Sequence, residues 1–183
     1  MEEREELYAD FIRDFSETLC GITEDMSYSN IIFLCIGTDR LIGDSFGPLV
    51  GNRLSTLLSD AGRLNVIGTL ENNVSISNIN GVLENIRNTY TNPFIIAIDA
   101  ALARPEQIGN IIVSEGPLSL GTSLNRRGIQ VGDMNIRGIV GRNCRNANQN
   151  LVILQNVPLS RVVNMADVVS TGIYNSINYE CNE

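Results

Sequence analysis

The chain has 183 residues, 43% of them hydrophobic and 19% charged, and a net charge of −8. That length suits one domain with a substantial core, and that acidity argues against a nucleic-acid partner, whose phosphates it repels. Histidine is absent and the four cysteines are scattered without a CxxC pair, which excludes Ser-His-Asp and Cys-His catalysis and His-ligated zinc.

Leu7, Tyr8, Phe11, Ile12, Phe15 and Leu19 recur at helical spacing, so an amphipathic helix is predicted over residues 3–20, closed by Gly21. Its acidic start lacks the basic head and apolar core of a signal peptide. No apolar run reaches the ~18 residues needed to cross a bilayer. The chain is therefore expected to stay where it is made, off the membrane, with its cysteines reduced.

Ile31 to Ile36, IIFLCI, is a continuous apolar run rich in β-branched residues that opens into GTDRLIGDSFGP. A buried parallel strand feeding a loop has this pattern. A helix follows with Leu49, Val50, Leu54, Leu57 and Leu58 on one face and Pro48 in its first turn, where a missing N–H costs nothing. Leu64 to Leu70 is predicted as a second strand, and Ile76, Ile79, Val82, Leu83 and Ile86 mark another helix. Phe94 to Asp99, FIIAID, is a third strand that stops at a carboxylate. This alternation implies right-handed βαβ crossovers.

Beyond Arg104 the segments NIIVSEG and MNIRGIVG alternate and carry glycines, and they read as hairpin-like strands. Leu151 to Val157, LVILQNV, is predicted as one more buried strand, and Val162 to Ile177 as a closing helix. The expectation is a single α/β domain over residues 1–183, with helix 3–20 appended. Its sheet should be mainly parallel and doubly wound, with strands 31–36 and 94–98 adjacent.

In open α/β sheets ligands bind beyond the carboxyl ends of the strands. Two strands here lead to acids: Asp39 and Asp44 on the first loop, and Asp99 at the end of the third strand. Folding alone has no use for a carboxylate beside an apolar strand, because desolvating it costs free energy. If the strands are neighbours, Asp44 and Asp99 converge. Two close carboxylates raise one pKa and so supply an acid and a base near neutral pH. The same pair could hold a divalent cation through oxygen, and an aspartate after a strand is also an ordinary cap or turn residue. The loop lacks the GxGxxG and GxxxxGK[ST] spacings of phosphate-binding loops. Asn125, Arg126 and Arg127 form the one dense basic spot near a glycine-rich segment; a peptide carboxylate or a solvated turn would both account for it.

In combination, CIGTDRLIGDSFGPLVG, IIAIDAALARPEQIGNIIV and the later GTSLNRRGI resemble the YyaC-type sporulation proteins, which are in turn similar to the germination protease of bacterial spores. The resemblance runs from about Ile31 to Val169. It implies a peptidase-like, three-layer α/β/α fold of the phosphorylase/hydrolase kind, shared with hydrogenase maturation proteases. The germination proteases are regarded as atypical aspartic peptidases. Their catalytic aspartates lie in a PDALGP-like loop and an IAIDAL-like strand end, which implies catalytic roles for Asp44 in GDSFGP and Asp99 in AIDAAL.

The maturation proteases bind nickel through a Glu/Asp, an Asp and a His. Asp44 matches the first, but NVIGTL has no Asp and the chain has no His, so neither a metal nor another cofactor is expected. The implied function is that of a spore endopeptidase acting on peptide bonds, with small acid-soluble spore proteins as substrates. Asp39, Asn125, Arg126 and Arg127 are assigned to substrate binding. A homo-oligomer is left open, and the location implied is the cytoplasm of the forespore or mother cell. A non-enzymatic regulatory paralogue and a metal-dependent maturation-type protease are the alternatives.

Overall fold

A computed structural model describes residues 2–23, 28–59, 62–120 and 128–180. Its central sheet grows from the apolar runs. Strand β1 (Asn30–Cys35) carries no charged residue, and its last four positions are buried. Strands β2 (Leu64–Ile67) and β3 (Pro93–Ala103) pair with it on either side, both parallel. The adjacency expected of segments 31–36 and 94–98 is present. Two strands of the second half complete the sheet: β4 (Ile111–Glu115) and β7 (Met134–Arg142). The order is β2-β1-β3-β7-β4, with only β4 antiparallel. Segments 111–115 and 134–142 do pair antiparallel, as a hairpin would. Between them, however, the chain makes a separate ribbon of β5 (Leu118–Leu120) and β6 (Ile129–Val131).

Helices α1 (Glu2–Thr23), α2 (Phe46–Leu57) and α5 (Leu159–Glu180) cover one face. Phe11, Phe15, Phe46, Leu54 and Val169 meet Phe33, Ile96 and Ile136 of the strands there. Helix α3 (Ile79–Thr89) and the β5–β6 ribbon cover the other, around Ile32, Leu34 and Ala97. The architecture is the three-layer α/β/α arrangement that the resemblance implies, built on the parallel sheet expected from the alternation of elements. Each large side chain so buried contributes roughly 1.5–3 kcal/mol.

Three local expectations are corrected. Helix α1 runs through Gly21, whose Cβ position is open space, so nothing there forces the helix to end. Residues 151–157 form no strand: Ala147–Gln155 is helix α4. Asn146 caps it, its side chain accepting from the N–H groups of Asn148 and Gln149 at 2.9 and 3.3 Å. That local cap decides a short apolar run whose periodicity is ambiguous, and Leu151 and Val152 stay exposed. Finally, β3 continues four residues past Asp99. Ala100 to Ala103 pair onward with β7, although alanine carries little strand preference of its own. Among the described residues, no helix is long and apolar enough to cross a membrane.

Candidate active site

The site forms where β1 leaves the sheet and β3 does not. Cys35 pairs with Ile98, and the Ile36 N–H still donates to the Ile98 carbonyl at 2.7 Å. Asp99 is the next residue on β3, the first with no partner on β1. It therefore stands inside its own strand but beyond the end of its neighbour. By alternation it shares the face of Ala97, toward α3 and the ribbon.

Asp44 comes from the other side of that break. After Ile36 the chain turns back on itself through Gly37, at φ 139°. A Cβ on Gly37 would lie 2.0 Å from the Asp44 carbonyl oxygen, so only glycine permits this approach. The Thr38 N–H donates to that same carbonyl at 3.2 Å. Asp44 lies in the single 3-10 turn Gly43–Ser45 that leads directly into α2. Ser45 closes the turn, its hydroxyl donating to the Ile42 carbonyl at 2.6 Å. Helix α2 then presses on the end of β1 through Gly47, where a Cβ would lie 2.0 Å from the Ile36 oxygen.

The electrostatics follow from this burial. Asp99 is held well above the ordinary carboxylate range, first by burial and then by the charge of Asp44; the Ala100 N–H, donating to its Oδ1 at 2.8 Å, pulls the other way. Asp44 is raised by burial, and the Thr38 backbone N–H opposes the shift. Among the described residues no cation pairs with either carboxylate. Such a pair titrates in two steps, and the second proton is lost only against the charge left by the first.

Asp99 also stands in the wall of a cleft of about 520 Å³ between β3, β4, β5 and β7. Asp44 is not in that lining. The cleft's polar floor includes three residues that the motifs did not point to: Ser114, Asn135 and Arg137. Arg137 is the register partner of Asp99 across β3 and β7, and Asn135 is opposite Ser114 across β7 and β4. A signal existed in MNIRGIVG, where Asn135 and Arg137 occupy alternate positions of a strand whose other face is buried.

Asp39 is exposed on a turn, its Oδ1 within 3.4 Å of the Thr38 hydroxyl, and it takes no part in the carboxylate pair. Asn125, Arg126 and Arg127 lie outside the described residues. The described residues contain no cluster of three His, Cys, Asp or Glu side chains able to hold a metal. With no histidine in the chain, the donors present do not fit the nickel site of a maturation protease.

Comparison with known proteins gives three findings. The fold resembles that of a NiFe hydrogenase maturation protease, HycI, from Thermococcus kodakarensis KOD1, with a TM-score of 0.57 and 16% identity, over 90% of this chain and 98% of that one. The uncharacterized protein YyaC of Bacillus subtilis (strain 168) is 38% identical over 143 residues, 78% of this chain and 67% of YyaC. Residues 5–172 match the family described as "Protein of unknown function (DUF1256)". The chain belongs to that family, and YyaC is a relative within reach of ordinary sequence similarity.

Proposed function

We propose that this chain is a peptidase of the aspartate-dyad type, acting on a protein substrate in a spore-forming cell. The observation that carries the reading is Asp99: a carboxyl group whose pKa is pushed well up by burial and by a second carboxylate, set in the wall of a cleft. The protease-like fold and the kinship with YyaC support it.

In this reading Asp44, ionised first, takes the proton from a water molecule held between the two groups. Asp99, still protonated, hydrogen-bonds the scissile carbonyl as negative charge develops on its oxygen. It then passes its proton toward the leaving amine. The assignment follows the shifts: the charge of Asp44 is one cause of the rise at Asp99, so Asp99 keeps its proton longer. Cleavage should therefore be bell-shaped in pH, lost in acid as Asp44 protonates and lost in base as Asp99 ionises. Both limbs should sit above the model-peptide value of ~3.9.

The test is cleavage of a purified small acid-soluble spore protein by wild type, Asp44→Asn, Asp99→Asn and the double variant. Each single change should abolish nearly all activity, and the double should be little worse, because groups acting as a unit are strongly non-additive. Asp39→Asn should keep substantial activity. Cleavage that persists in both single variants would eliminate the dyad. A wild type that binds the substrate and never cuts it would make the chain a binding protein.

A further inference from the structure

The cleft beside Asp99 holds an unfilled donor and an unfilled acceptor. Arg137 is only partly exposed, and its Nε is buried without a hydrogen-bond partner. Among the described residues its one hydrogen bond through a guanidinium nitrogen is a long one, Nη2 donating to the Ser114 hydroxyl at 3.4 Å. Among the described residues no carboxylate lies within ion-pair distance of it. Asn135, on the same face of β7 two positions earlier, is 5% exposed. Its Nδ2 donates to the Ser114 and Gly116 carbonyls at 3.3 and 3.0 Å, which fixes the amide's orientation and leaves Oδ1 buried without a partner.

A buried guanidinium N–H without an acceptor and a buried carbonyl oxygen without a donor are both costly in a finished fold. The two Cα positions are roughly 6.6 Å apart along a strand, within reach of one small ligand. That ligand must bring an anionic acceptor and, close to it, an N–H. Asp99 does not fill the role, although it is the register partner of Arg137. Its own Oδ1 is engaged by the Ala100 N–H, and among the described residues it makes no ion pair with Arg137. Glu115 also borders the cleft but is exposed and unpaired with Arg137.

We propose that Arg137 and Asn135 form a carboxylate-binding subsite for a peptide: the guanidinium takes a carboxylate, and Asn135 Oδ1 accepts the adjacent amide N–H. The proposal rests on the peptidase reading for its choice of a peptide, and it makes Arg137 a specificity-determining residue next to the proposed acid. Arginine suits the task because its planar fork binds a carboxylate through two parallel hydrogen bonds, which a lysine cannot reproduce. The carboxylate could come from the free end of a chain or from an acidic side chain.

The test is a calorimetric titration of the intact protein, in wild-type and Asp44→Asn forms, with four small probes. N-acetylglycine carries a terminal carboxylate beside an amide N–H, and N-acetylglutamate α-amide carries a side-chain carboxylate. N-acetylglycinamide lacks the charge, and acetate lacks the N–H. At least one of the first two should bind, with the better of them naming the source, and both controls should be at least about tenfold weaker. Arg137→Met should lose tenfold or more. Arg137→Lys should recover only part of that loss while folding as wild type does. Equal binding of N-acetylglycinamide, unchanged binding in Arg137→Met, or no binding of either carboxylate probe would overturn the subsite. Binding preserved in a protein that cleaves nothing would sink the peptidase reading and leave the subsite standing. Cleavage that is indifferent to Arg137→Met would do the reverse.

Discussion

Two glycines, both inside helices, should respond in opposite directions to the same substitution. At Gly47 an added Cβ would lie 2.0 Å from the Ile36 carbonyl oxygen, 2.8 Å from its nitrogen and 2.9 Å from its carbonyl carbon. All three atoms are backbone, and Ile36 is pinned to β3 by its N–H at 2.7 Å from the Ile98 oxygen. Restoring an ordinary contact of ~3.5 Å requires the start of α2 and the end of β1 to separate by about 1.5 Å. Overpacking of this kind costs about 1–3 kcal/mol, and the absence of a flexible side chain to yield places Gly47→Ala at about 2 kcal/mol or more. At Gly81 in α3 nothing lies within 4 Å of the added Cβ, so Gly81→Ala should stabilise by about 0.5–1 kcal/mol through helix propensity. Urea unfolding reads both: with a slope of ~1–3 kcal/mol per molar, the Gly47→Ala midpoint should fall by roughly 1 M and that of Gly81→Ala should rise. Gly47 is also three residues from Asp44, so the displacement reaches the candidate site. A misplacement near 1 Å can cost on the order of 100-fold in rate. Gly47→Ala as stable and as active as wild type would refute the close packing of α2 on β1 as what places Asp44. Equal destabilisation by Gly81→Ala would show that helix propensity, not the clash, had been misjudged.

Removing the titratable group at Asp99 should itself strengthen the fold. Because the folded protein holds the Asp99 proton more tightly than the unfolded chain does, wild-type stability falls as pH rises from ~3.9 through the raised folded value and stays reduced above it. Asp99→Asn should therefore be more stable than wild type at neutral pH and gain nothing at pH 3, as pH-dependent urea midpoints will show; a neutral-pH loss would contradict the assignment. Asn146→Ala should lose about 1 kcal/mol with the cap of α4, and an unchanged midpoint would mean that packing rather than capping holds that helix.

Much of the scaffold could be read from local pattern. IIFLCI and FIIAID declared themselves as buried strands because each is apolar on both sides, and Phe11, Phe15 and Leu19 declared a helix face by their spacing. The same logic failed at Leu151–Val157, where a run of apolar residues is equally a strand or one side of a helix. There the Asn146 cap chose the helix. The two aspartates were legible as candidates because a carboxylate costs free energy beside an apolar strand. Their convergence followed from the expected adjacency of the two strands; that Asp99 stands inside β3, past the end of β1, did not.

The polar cleft lay further from view. Asn135 and Arg137 are ordinary polar residues in a strand, and in sequence Arg137 is 38 positions from Asp99; only the parallel register of β3 and β7 sets the two side by side. Local sequence specifies which backbone segments prefer strand or helix, because that preference is decided within a few residues. Which side chains share a dielectric, and so which acid's pKa is pushed up and which guanidinium nitrogen is buried without an acceptor, is a property of distant segments brought together. Those assignments became readable once the sheet order was known.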